Sequence, residues 1–65
     1  MKEQILKKIS EKRNISLTEA EKSFNKYCQD FADDVFYSEY NGVLVFGLHL
    51  TIEEADYIHN YLKSA

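Results

Sequence analysis

Three side chains near the carboxyl end have the residue types of a metal site. Asp56 and His59 stand three positions apart in a predicted helix, and His49 precedes them. A carboxylate and an imidazole at this spacing share one side of a helix, but helical metal sites combine several such motifs, and this sequence offers one. His59 also falls among apolar positions, where one hydrogen bond suffices for a buried ring. We therefore predict no metal ligand and no cofactor.

Groups for nucleophilic or acid–base catalysis can be tested in the same way. Cys28 falls on the apolar side of a predicted helix, where cysteine behaves as a small hydrophobic residue rather than as a reactive thiolate. The carboxylate pairs Asp33-Asp34 and Glu53-Glu54 are adjacent in sequence, so on a helix their directions differ by about 100°. Such pairs do not converge on one substrate atom. We predict no catalytic residue, and hence a protein that is not an enzyme.

Charge is distributed unevenly along the 65 residues. Residues 1–13 carry five basic and two acidic side chains, whereas the whole chain has 11 acidic and 8 basic residues and a net charge of −3. An acidic balance argues against a general nucleic-acid binder. The basic first segment has two interpretations: it contacts phosphate, or it packs against an acidic neighbour or faces solvent.

Composition predicts one compact domain, residues 1–65, in the cytosol. A chain of this length buries a small core, so good packing or association must contribute to its stability. The single cysteine cannot form an internal disulfide, and the first residues lack the apolar run of a signal peptide. No stretch of about 18 apolar residues occurs, so we expect no contact with a membrane.

Two helices are predicted before the middle of the chain. Ile5 and Ile9 share one face of a helix over about residues 2–13, which Asn14 would end in the left-handed conformation. Ser16 and Glu19 form a capping-box pattern that begins a second helix over about residues 17–34. Its apolar stripe consists of Leu17, Ala20, Phe24, Tyr27, Cys28, Phe31 and Val35.

A β-hairpin and a third helix follow. Asn41-Gly42 separates two apolar runs within about residues 35–50, a strong signal for a two-residue turn in which both residues need φ > 0. A second capping box at Thr51 and Glu54 begins a helix over about residues 52–63. Its stripe is Ile52, Ala55, Ile58, His59 and Leu62. The predicted fold class is therefore α+β, in the order α-α-β-β-α.

Strand alternation assigns the hairpin side chains to two faces. Leu44, Phe46 and Leu48 share one face, which we predict to point into the core. Nothing remains to cover the other face, and contiguous apolar surface on a small monomer marks an interface. This outer face consists of Phe36, Tyr40, Val43 and Val45.

Local similarity to a known family is confined to the first half of the chain. Ile9-Ser-Glu-Lys12, Ile15-Ser16, Ala20-Glu-Lys22 and Asn25 resemble the two leading helices of the HU/IHF bacterial DNA-bending proteins. That family binds DNA through long basic β-arms, whereas the hairpin predicted here is short and not basic. The resemblance therefore concerns local helix chemistry, and DNA binding is not transferred from it.

These observations predict a small, non-enzymatic interaction protein that regulates or inhibits a larger protein partner. Tyrosine is typical of interface cores, although Tyr57 and Tyr61 have an equally weighted alternative, which is to shield the hairpin. The predicted partner-binding residues are Phe36, Tyr40, Val43, Val45, Glu53, Glu54, Tyr57 and Tyr61.

Variants of this hypothesis differ in the partner. An acidic surface could imitate nucleic acid, as in small proteins of phages and mobile elements, and block a nucleic-acid-binding protein. The unpaired edges of a two-stranded hairpin also favour a homodimer. The alternative is a nucleic-acid-binding module that acts through the basic first helix.

Overall fold

A computed structural model describes residues 1–32 and 42–63, apart from the side chain of Val43. In chain order the elements are α1 (Lys2–Arg13), α2 (Leu17–Asp30), a short π-helix (Gly42–Gly47), here called the π-segment, and α3 (Ile52–Tyr61). The described residues contain helices and no strand. The predicted α+β class with a β-hairpin is therefore wrong, and the domain is a small helical one.

The corner between α1 and α2 follows the predicted signals. Asn14 ends α1 in the left-handed region at φ 54°, and its backbone N–H donates to the carbonyl of Ser10. The Ile15 N–H reaches the same carbonyl at 3.1 Å, and the Ser10 hydroxyl donates to the Ile15 carbonyl at 2.6 Å. Ser16 then caps α2 by accepting from the Glu19 N–H at 3.2 Å. These local bonds define how α2 folds back on α1.

The core lies between α1, α2 and α3. Its members include Ile5 and Ile9 from α1, as predicted, and the central part of the α2 stripe. Leu17 departs from that stripe, because 59% of it is exposed. The α2 helix ends at Asp30, before the predicted residue 34. The buried apolar residues are Ile5, Ile9, Ala20, Phe24, Cys28, Phe31, Leu44, Leu48, Leu50, Ala55 and Ile58.

The π-segment replaces the second predicted strand. A two-residue hairpin turn requires φ > 0 at Gly42, yet neither described glycine has a positive φ. Leu44 and Leu48 are both buried, at the four-residue spacing of a helical turn, whereas Phe46 between them is 82% exposed. Strand alternation would bury all three, so the inward assignment of Phe46 is wrong. The strand predicted for residues 35–40 lies outside the described residues.

The final helix begins at its predicted cap. The Thr51 hydroxyl accepts from the Glu54 N–H at 3.1 Å, and the Glu54 carboxylate accepts from the Thr51 N–H at 2.8 Å, which completes the capping box. The α3 helix packs against α2 and the π-segment. It ends at Tyr61 rather than at residue 63, and its predicted apolar residue Ile52 is 66% exposed. None of the described helices combines the length and apolar character needed to cross a membrane.

Candidate interaction surfaces

In the π-segment, the exposed residue Phe46 lies between two residues whose side chains are buried in the core. Leu44 is fully buried and Leu48 is 7% exposed. The Leu50 N–H donates to the Leu44 carbonyl at 3.1 Å, which ties the residues beyond the segment back to its start. His49, which lies between the segment and Leu50, adopts the left-handed conformation at φ 60°. The exposed phenylalanine ring therefore projects from an anchored turn.

Where the structure describes it, the predicted outer face of the hairpin is not a strand face. Val45 is half-buried and packs against the core, so its side chain is partly withdrawn from solvent. Phe36 and Tyr40 lie outside the described residues, as does the side chain of Val43. Val45 is the one of these four residues whose side chain the structure describes, and it contributes to packing.

Tyr57 and Tyr61 form an aromatic cluster with the core residue Phe24. Their ring centroids lie 6.4 Å and 5.1 Å from that of Phe24, and 5.7 Å from each other. The Lys2 ammonium stands 5.2 Å from the centroid of Phe24 and 5.6 Å from that of Tyr61. Both tyrosines are half-buried. They shield Phe24, a core residue of α2, rather than a hairpin.

Glu53 and Glu54 have opposite surroundings although they are adjacent. Glu53 is exposed, whereas Glu54 is 1% exposed and binds groups from α1. Lys8 Nζ lies 2.6 Å from Glu54 Oε1, and Gln4 Nε2 donates to Glu54 Oε2 at 3.2 Å. Burial opposes ionisation of Glu54, but the bonds from Lys8, Thr51 and Gln4 outweigh it and hold the pKa below its usual value. Glu54 thus joins α1 to α3 and contributes no surface charge.

The basic residues of α1 are largely engaged within the chain. Lys2 Nζ lies 3.7 Å from Glu21 Oε1, and Lys8 binds Glu54. Lys12 donates to His49 Nε2 at 3.2 Å, and Arg13 donates to the Tyr27 hydroxyl at 2.8 Å. These contacts favour the interpretation in which the basic helix packs against neighbours over the one in which it contacts phosphate.

Among the described candidates for metal binding and catalysis, His59 and Cys28 are buried, and the pair Asp33-Asp34 lies outside the described residues. His59 is buried and its Nδ1–H donates to the Phe31 carbonyl, while Lys63 donates to its Nε2 at 3.3 Å. Cys28 is 1% exposed, and burial raises the pKa of its thiol to about 11. No group of three or more potential metal ligands comes together within residues 1–32 and 42–63.

The exposed apolar residues Phe46, Leu17 and Ile52 were not predicted as surface sites. Strand alternation assigned Phe46 to the core, and the helical stripes of α2 and α3 assigned Leu17 and Ile52 to it. The glycines on either side of Phe46, Gly42 and Gly47, are a signal that could have indicated an irregular turn. Leu17 is the first residue of α2, where a side chain lies at the rim of the core.

Compared with models of known families, with curated proteins and with solved structures, the chain matches none of them.

Proposed function

We propose that the protein acts by binding a larger protein partner, with Phe46 as the principal contact. The observation that carries the proposal is the 82% exposure of Phe46 between the buried residues Leu44 and Leu48. A phenylalanine left in water forgoes about 1.5–3 kcal/mol that burial would supply. A marginally stable small domain regains this free energy when a partner covers the ring.

The rigidity of the turn supports the same proposal. A backbone segment that is already held in its binding conformation loses little conformational entropy when a partner binds it. Anchoring by Leu44, by Leu48 and by the 3.1 Å bond between the Leu50 N–H and the Leu44 carbonyl supplies that preorganisation for Phe46.

We propose that residues at the start of α3 extend this surface. Ile52 is 66% exposed and Glu53 is exposed, and both follow Leu50, which is bonded to the π-segment. We propose a contact with Phe46 at its centre, Ile52 as a second apolar group and Glu53 as an acidic rim. Glu54 is not part of the proposed contact, because its carboxylate is bonded to Gln4 and Lys8 of α1. Since its charge does not reach the surface, an acidic surface that imitates nucleic acid is also less well supported.

The nucleic-acid alternative is supported less well than partner binding. Four of the five basic residues in positions 1–13 already have partners in the chain, so contact with phosphate would first have to break those bonds. A salt titration separates the two: each phosphate contact contributes about −0.9 to the log–log slope of affinity against salt. We propose the cytosol as the compartment and assign the protein no catalytic step.

A photo-crosslinking amino acid at position 46 tests the proposal in cells that naturally contain the protein. We expect one stoichiometric crosslinked partner, which is then purified for calorimetry. Phe46→Ser should weaken its binding at least about 30-fold, which corresponds to a loss of about 2 kcal/mol.

Leu62→Ser is the matched control, because Leu62 is a large exposed apolar residue at the opposite end of α3. It should leave partner binding unchanged. Equal losses in both variants would contradict a role for Phe46, and the absence of any crosslink at position 46 would contradict partner binding through this surface.

A further inference from the structure

An open groove runs between α1 and the start of α2, on the side of α1 away from the π-segment. Leu6 and Leu17 provide its apolar part, and Glu3, Lys7 and Glu21 provide its charged rim. Lys8 and Lys12 lie on another side of α1, where they line a separate groove with Leu48 and His49. The surface around Leu17 is therefore distinct from the one proposed for the larger partner.

Leu17 protrudes beside the groove that it helps to form. It is 59% exposed, whereas Leu6 is half-buried and packs against the core. One patch thus carries both a projecting leucine and an apolar recess. A two-fold axis placed through such a patch would bring each leucine to the other copy's recess, because an isologous interface uses the same surface twice.

The charged residues at the rim of the groove are also suited to a contact between two identical surfaces, because they include both an acid and a base. Glu3 and Lys7 are four residues apart on α1, so they lie side by side on one face. A two-fold axis that passes between these two side chains would bring Glu3 of each copy to Lys7 of the other. Glu21 is already paired with Lys2 at 3.7 Å, so it adds no unbalanced charge to this face.

We propose that the occupant of this groove is a second copy of the chain, bound through Leu17 and the Glu3–Lys7 pair. A 65-residue domain without a disulfide gains stability from such association. This dimer replaces the one predicted at the hairpin edge, and it is independent of the proposed partner surface at Phe46.

Sedimentation velocity from micromolar to millimolar protein tests the dimer. We expect concentration-dependent dimerisation of the parent, at least tenfold weaker dimerisation of Leu17→Ser, and unchanged dimerisation of Phe46→Ser. A parent that stays monomeric throughout, or a dimer that is insensitive to Leu17→Ser, would overturn the proposal. Binding of the larger partner is measured separately, by comparing the parent with Phe46→Ser, so the two proposals can fail independently.

Reversing the charge of Glu3 or of Lys7 tests whether these two residues pair across the dimer. Glu3→Lys and Lys7→Glu should each dimerise at least tenfold more weakly than the parent, because like charges then meet across the two-fold axis. An equimolar mixture of the two variants should recover the parent's dimerisation, since every cross-pair becomes attractive again. Circular dichroism confirms that each variant is folded, and a mixture no better than its components would contradict the pairing.

Discussion

The α1–α2 pair and the π-segment use their side chains in different ways. Ile5, Ile9 and Phe24 are fully buried in the helical pair, and the charge of Lys8 is neutralised by Glu54. The π-segment buries Leu44 as an anchor and leaves Phe46 82% exposed. The contrast is one of burial: the α-helices enclose most of the core, whereas the π-segment leaves exposed the ring that we propose as the contact for a partner.

The largest expected effect is the loss of Phe24 from the centre of the core. Phe24→Ala should destabilise the fold by about 3–5 kcal/mol, because it removes a fully buried ring that also contacts Tyr57 and Tyr61. Lys26→Ala, at an exposed position of the same helix, should stay within about 0.5 kcal/mol of the parent. Urea unfolding measures both, and similar midpoints for the two variants would show that the α2 stripe is wrongly placed.

An intermediate effect is expected at the junction of α1 and α3. Glu54→Gln should cost about 1–3 kcal/mol at pH 7, because it weakens the charge-assisted bonds from Lys8 and Gln4. Glu53→Gln is the matched control, since its side chain is exposed, and it should cost much less. Thermal unfolding of both variants measures the difference, and equal losses would contradict the special role of Glu54.

The same residue predicts an acid dependence of stability. The pKa of Glu54 is lowered by folding, so its stabilisation is present above the unfolded value of about 4.3 and is lost as the pH falls through the lower native value. The free energies of unfolding of the parent and Glu54→Gln should therefore converge on acidification from pH 7 to pH 3. A gap that stays constant over this range would contradict the sign of the shift.

A smaller effect, of opposite sign, is expected at Gly42. Its φ is not positive and a Cβ placed there would meet nothing within 4 Å, so Gly42→Ala should stabilise the protein by about 0.4–1 kcal/mol. In a hairpin turn with φ > 0 the same substitution would destabilise. Asn14→Ala provides the contrast, because Asn14 has φ 54° and alanine is strained there. Thermal unfolding of Gly42→Ala tests this: a higher melting temperature than the parent's supports the π-segment, and a lower one supports a turn with φ > 0 at Gly42.

Local sequence signals explain why most of the ends of the α-helices could be predicted. Asn14, Ser16 and Thr51 act through bonds to residues at most four or five positions away, so a single sequence suffices to recognise them. The starts of α2 and α3 and the end of α1 follow the prediction for this reason. The partner of Glu54 could not be predicted, because Lys8 lies 46 positions away in sequence.

The π-segment was not predictable from the same kind of signal. Alternating apolar residues around Asn41-Gly42 predict a hairpin, but the alternation also places Leu44 and Leu48 at a helical spacing. The packing of both leucines into the core of α-helices overrides the local preference for a strand. Short apolar runs are ambiguous in this way, and here the ambiguity decides whether Phe46 is core or surface.

Equilibrium unfolding of the pair Leu44→Ala and Phe46→Ala tests the assignment of anchor and contact most directly. We predict a loss of about 2–5 kcal/mol for Leu44→Ala, which empties a fully buried site, and a change within about 0.5 kcal/mol for Phe46→Ala. Comparable losses in the two variants would contradict the π-segment, because they would put both side chains on one buried strand face.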